Sequence, residues 1–174
     1  MSTVRTRVAA AAAAATLGAA GITAVTASAN ASTPACGNYS LAVSRTGNDA
    51  AAGHGRIVLL FRNVGRTTCT LYGYPGLDAL NASGHVLAHA KRTLSGYMGG
   101  AYTGERTVTI TPGHYGSAVV EWLNFNPITT GDCTFSKSVA TTPANTTRTW
   151  HLAASVSICN LQVHPTVAGT SGSN

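Results

Sequence analysis

Beyond residue 30 no stretch of this chain keeps a helical period, whereas short runs of β-branched and aromatic residues, broken by Gly, Pro and Asn, recur along its length. Apolar positions spaced by two suit strands half-buried in a sheet, and turn residues this frequent leave no room for helices of ordinary length. The chain is therefore expected to be all-β. YSLAVSR (39 to 45) alternates weakly, as an edge strand does, while RIVLLFRN (56 to 63) is a continuous apolar run suited to the middle of a sheet. Short strands over 67 to 72 and 77 to 81 follow, the second turning through Asn81-Ala82-Ser83-Gly84 into HVLAHAK. RTVTITP (106 to 112) and YGSAVVEWLNF (115 to 125) are joined by a tight Pro112-Gly113-His114 turn. In the latter strand Val120 and Trp122 face one side and Val119, Glu121 and Leu123 the other. CTFSKSVATTP, TTRTWHLAA and SVSICNLQVHPTV supply the rest, the last kinked near Cys159 and Asn160, where the apolar positions change parity. GNDAAAGHG reads as loop, and the four glycines of RTLSGYMGGAYTGE (92 to 105) mark the most mobile internal stretch. The expected architecture is an antiparallel immunoglobulin-like β-sandwich, with a closed β-barrel as the alternative.

The sequence opens with MSTVRTR, continues through an Ala-rich apolar run and reaches Ala27-Ser28-Ala29, the layout of a secretory signal peptide over residues 1 to 29. One β domain over 30 to 167 and a flexible tail over 168 to 174 are expected to follow. No cysteine stands directly behind the apolar run, so no membrane anchor is expected after cleavage. Nine basic side chains against five acidic ones then remain, a net of +4, scattered without the runs or aromatic interleaving that track a phosphate backbone. Nucleic acid is not an expected partner. Cys36, Cys69, Cys133 and Cys159 all survive cleavage, and an even count in an oxidising compartment predicts two disulfides rather than a zinc site, which would bring its cysteines in close pairs. Pairing Cys36 with Cys69 and Cys133 with Cys159 staples each terminal segment to an inner strand; the nested pairing of Cys36 with Cys159 stays open.

Chemistry-bearing residues are sparse. There is no G-x-S-x-G elbow, and Glu105 with Glu121 is the one carboxylate pair that could converge for glycosidase work, otherwise two solvated strand residues. The six histidines show no spacing that collects metal ligands, and neither metal nor cofactor is expected. Tyr72 and Tyr74 flank Gly73, and Tyr97 and Tyr102 sit in the glycine-rich loop; together they are the candidate binding face. In the same corner Pro75 and Gly76 suit a type II turn with positive φ at Gly76.

An apolar strand followed by Asn63 and Gly65, then Cys69-Thr70-Leu71-Tyr72-Gly73-Tyr74-Pro75-Gly76, a further strand and Gly84, resembles the actinobacterial secreted domain of unknown function 4232 family. GHYGSAVVEW and the closing CNLQVHP extend the resemblance over nearly the whole mature chain. The resemblance implies a signal-bearing, disulfide-stapled β domain of the cell envelope or the medium and supplies no activity. Many members look like lipoproteins, from which this chain departs. The resulting expectation is a secreted, non-enzymatic binding or structural module whose partner is an extracellular protein, a wall polymer or a glycan. A secreted proteinase inhibitor presenting the loop at 94 to 104 is the alternative, and a wall-directed hydrolase a third.

Overall fold

A computed structural model describes residues 32 to 97, 104 to 129 and 131 to 173; the expected signal peptide, at 1 to 29, and Tyr102 lie outside the described residues. The domain opens with β1 (Leu41–Arg45), β2 (Asp49–Ala51) and β3 (His54–Asn63). Then come β4 (Cys69–Tyr72), β5 (Gly76–Leu80), β6 (Val86–His89) and β7 (Lys91–Arg92). The C-terminal half adds β8 (Thr107–Ile110), β9 (Tyr115–Leu123), β10 (Ser138–Thr142), β11 (Trp150–Ala153), β12 (Gln162–Val163) and β13 (Val167–Ala168). No helix occurs among the described residues.

The larger sheet runs β1-β3-β9-β12-β7, with β2 on β3 and β13 on β9; a second runs β11-β10-β5-β6, and β4 pairs with β8. The fold is an all-β sandwich whose sheets are open, so the barrel alternative is set aside. β7 joins β12 in parallel, an exception in a mainly antiparallel molecule.

Period-two alternation builds the core from all three sheets. Ile57, Leu59 and Phe61 of β3 and Ala118, Val120 and Trp122 of β9 point inward, where they meet Leu71, Val108 and Ile110, and Leu77, Ala79 and Val139. Trp122 fits because its cross-strand partner is Gly55: a β-carbon there would stand 2.3 Å from the indole. The disulfides are Cys36–Cys69 and Cys133–Cys159, which removes the nested pairing.

Three local expectations are corrected. Part of GNDAAAGHG is not loop: β2 folds back on the start of β3 through Ala52 and Gly53, both at positive φ (49° and 80°). The positive φ of the tyrosine corner falls on Gly73 (87°), not Gly76, because Gly76 already pairs with Thr142 as the first residue of β5. The segment from 168 is no free tail. Gly172 is buried, donates its N–H to Ser117 Oγ (3.0 Å) and covers Val58 and Val119, which point away from the core.

Gly172 has φ of 73°, and an added β-carbon would lie 2.5 Å from Val119 Cγ2. Gly172→Ala should therefore cost about 1–2 kcal/mol locally and detach the tail. Amide exchange is expected to lose protection at Gly172 while the β3 amides keep theirs.

Candidate functional site

The side of the β3–β9–β12 sheet turned away from the core carries the most concentrated polar chemistry of the molecule. Parity puts Glu121 of β9 on this side, and the register sets it beside Arg56 of β3 and Gln162 of β12. A carboxylate there would ordinarily be solvated. Instead Glu121 and His164 are both 0% exposed, because the segment after β7, residues 93 to 97, is drawn over them.

That segment is held by side chains. Thr93 N–H donates to Val163 O (3.2 Å), a bond to strand backbone. His164 Nδ1 bonds Thr93 O at 2.9 Å, Gln162 Nε2 donates to Ser95 O at 3.0 Å, and Tyr97 N–H donates to Glu121 Oε2 at 2.7 Å. His164 Nε2 lies 3.2 Å from the same Oε2, and Gln162 Nε2 3.5 Å from it. The protonation pattern follows from the acceptors. A carbonyl only accepts, so Nδ1 carries a proton. Oε2 accepts the short bond from the Tyr97 amide and faces Nε2 across one shared hydrogen bond. Glu121 and His164 thus form a buried, hydrogen-bonded acid–imidazole pair, and His164 Nδ1 reaches the backbone of the covering segment.

Within the covering segment the ring of Tyr97 stacks on His54 with centroids 5.1 Å apart and planes 27° apart. Burial, and then the negative charge of Glu121, push the Tyr97 phenol above its usual range. Beside it an open cleft of about 250 Å³ is lined by Lys91, Tyr97, Asn160, Leu161 and Gln162. Asn160 reaches the cleft through a left-handed turn (φ 48°) just after Cys159, whose carbonyl accepts from Leu123 N–H (2.9 Å); strand β9 and the second disulfide thereby fix that wall. His54 Nδ1, in the ring under Tyr97, and Arg56 Nε on the same strand are buried without a hydrogen-bond partner among the described residues, Arg56 lying 3.9 Å from Asp49 Oδ2.

The tyrosines expected to form one face do not act alike. Tyr97 lines the cleft. Tyr74 is half-buried beside Glu105 and Arg92: burial and the Glu105 charge raise its phenol, and Arg92 lowers it. Since Lys91 and Arg92 make up β7, Tyr74 and Tyr97 flank the same sheet edge. Tyr72 stands 48% exposed on β4 opposite Thr107 and lines no part of the cleft. The expected pair of solvated acids also divides, Glu105 being exposed and Glu121 buried against His164. Lys91, Asn160, Gln162 and His164 are functional candidates that the residue-by-residue reading did not select. Among the described residues no three His, Cys, Asp or Glu side chains converge to hold a metal ion.

No curated protein and no solved structure matches this chain. A family model does, described as "Domain of unknown function (DUF4232)", over residues 36 to 170, from the first disulfide cysteine to just beyond β13. GHYGSAVVEW and CNLQVHP, which carry much of the resemblance, contain Glu121 in one and Gln162 and His164 in the other, so the matched span takes in the whole anchoring cluster. The chain belongs to the DUF4232 family.

Proposed function

We propose that the chain is a secreted, non-enzymatic binding module of the cell envelope or the surrounding medium, and that a hydroxyl-rich wall glycan seats in the cleft beside Tyr97. One observation carries this reading: three buried polar side chains, Glu121, Gln162 and His164, hold the backbone of the segment that delivers Tyr97 to the cleft. Polar burial of this kind adds little net stability, whereas a ligand gains affinity when the groups that meet it are fixed beforehand. The lining suits a sugar, with an aromatic ring for stacking, the Asn160 amide for hydroxyls and an ammonium. Two disulfides are compatible with an oxidising, extracellular location. Hydrolysis is disfavoured because Glu121 is fully covered and its Oε2 is engaged by the Tyr97 amide and His164.

Sedimentation of the mature protein with isolated wall polysaccharide tests the proposal. Wild type should be retained, and Tyr97→Ala, with unchanged melting temperature, should bind about tenfold more weakly. Retention of Tyr97→Ala at the wild-type level would overturn the site. Loss of a secreted proteinase's activity at one-to-one ratio, with no glycan retained, would replace the reading with that of an inhibitor.

A further inference from the structure

We propose that Arg148 is the anion-reading residue of a second surface site, separate from the Tyr97 cleft, which takes a sugar bearing a carboxylate or a phosphate. The site lies where β1, the end of the larger sheet opposite β7, meets β11, the edge of the four-stranded sheet. Arg45 Nε donates to Ala153 O (2.6 Å) and Asn48 Nδ2 to Ser155 O (2.8 Å), which tie the two edges together. Just before β1, Cys36 is bonded to Cys69, and Ser40 closes a turn onto Gly37 O through both its N–H (3.1 Å) and its hydroxyl (2.8 Å). Within that turn Asn38 clamps the opposite loop. Its Oδ1 accepts from the N–H groups of Thr147 (2.9 Å) and Arg148 (3.0 Å), and its Nδ2 donates to Thr147 Oγ1 (2.8 Å).

This clamp sets Arg148 against two aromatic rings. The guanidinium carbon lies over Tyr39, 5.4 Å from its centroid, and over Trp150, 4.9 Å from its centroid. Arg148 is exposed, and among the described residues its guanidinium meets no carboxylate and no hydrogen-bond acceptor. A guanidinium steadied on aromatic faces with its N–H groups unengaged is pre-organised for the two-pronged bond that a carboxylate or phosphate accepts. Tyr39, 87% exposed, offers the adjoining ring on which a sugar can stack. A charge fork beside an aromatic platform fits an anionic sugar better than an isolated inorganic ion.

Titration followed by NMR at the Arg148 Nε–H and Trp150 indole N–H resonances tests the site, with galacturonate trisaccharide, its neutral galactose counterpart and galactose 6-phosphate as probes. The acidic sugars should shift both resonances and the neutral one should not; the stronger of the two acidic probes identifies the group read. Arg148→Ala should weaken binding about tenfold and Arg148→Lys roughly fivefold, because lysine keeps the charge and loses the fork. Tyr39→Ala should weaken it roughly threefold. Lys137→Ala, which removes the same charge elsewhere, and Tyr97→Ala should leave it unchanged. Equal shifts with the neutral sugar, no shift with either acidic probe, full binding by Arg148→Lys, or an equal loss in Lys137→Ala would each overturn the proposal. Because Tyr97→Ala enters only as a bystander here, failure of this site leaves the cleft reading standing, and the reverse.

Discussion

Glu121→Ala is expected to destabilise the domain by about 3–5 kcal/mol, because two buried polar groups lose their hydrogen-bond partner at about 1–3 kcal/mol each. Two losses combine. The fully buried His164 ring loses the partner 3.2 Å away, and the Tyr97 amide loses its 2.7 Å acceptor. For a domain whose total stability is about 5–15 kcal/mol, that is a large share. Denaturant unfolding measures the loss, and amide exchange at Tyr97 should accelerate well beyond the global change because the covering segment is released first. Two companion variants separate hydrogen bonding from cavity formation. Glu121→Gln keeps an oxygen for the Tyr97 amide and should cost less, about 1–2 kcal/mol. Replacing Glu121 and His164 together by leucine should cost less than Glu121→Ala alone, since no unpartnered polar group of the pair then stays buried. A loss below about 1 kcal/mol for Glu121→Ala would mean that the carboxylate is effectively solvated.

The parity that predicts where Glu121 points is legible in YGSAVVEWLNF, and the structure follows it: Val120 and Trp122 enter the core and Glu121 leaves it. What parity cannot convey is that the outward side is itself covered. The cover comes from the 93 to 97 segment and from Gly172, neither of which has a periodic apolar pattern, and both reach the sheet through contacts distant in sequence. The solvated reading of Glu121 fails there and not in the strand assignment. β2 escapes notice for a related reason, since Asp49, Ala50 and Ala51 have weak strand propensity and pair only because the turn at Ala52 and Gly53 returns them to β3. In the tyrosine corner both Gly73 and Gly76 can take positive φ, and the choice depends on the partner of Gly76, Thr142, far along the chain. The anchoring residues do leave one trace in sequence: Glu121, Gln162 and His164 each interrupt an otherwise apolar strand run. A polar residue inside such a run marks either solvent or a satisfied buried cluster, and only the fold decides which.

Opening both disulfides is expected to have the largest effect of all. The bridges close separations of 33 and 26 residues, for which the chain-entropy relation gives about 3.5 kcal/mol each. Their combined loss, about 7 kcal/mol if additive, rivals the whole stability of an ordinary domain of this size. The fully reduced protein should therefore be largely unfolded under conditions in which the oxidised form is native, a difference visible by circular dichroism at fixed denaturant. The order of reduction should reflect burial: Cys36 and Cys69 are 2% and 3% exposed, whereas Cys133 is 8% exposed and Cys159 half-buried, so the second bridge is the more accessible to a thiol. The two losses also differ in what they loosen. Replacing Cys133 and Cys159 by serine removes the support behind Asn160 and should weaken glycan retention at the Tyr97 cleft, while the Tyr39 turn keeps its geometry. Replacing Cys36 and Cys69 should do the reverse, freeing the turn that positions Asn38 and Tyr39 and leaving the cleft intact. An unchanged melting temperature once four thiols are titratable would show that the packed core alone carries the fold. That outcome would also remove the bridges as the reason either surface is rigid.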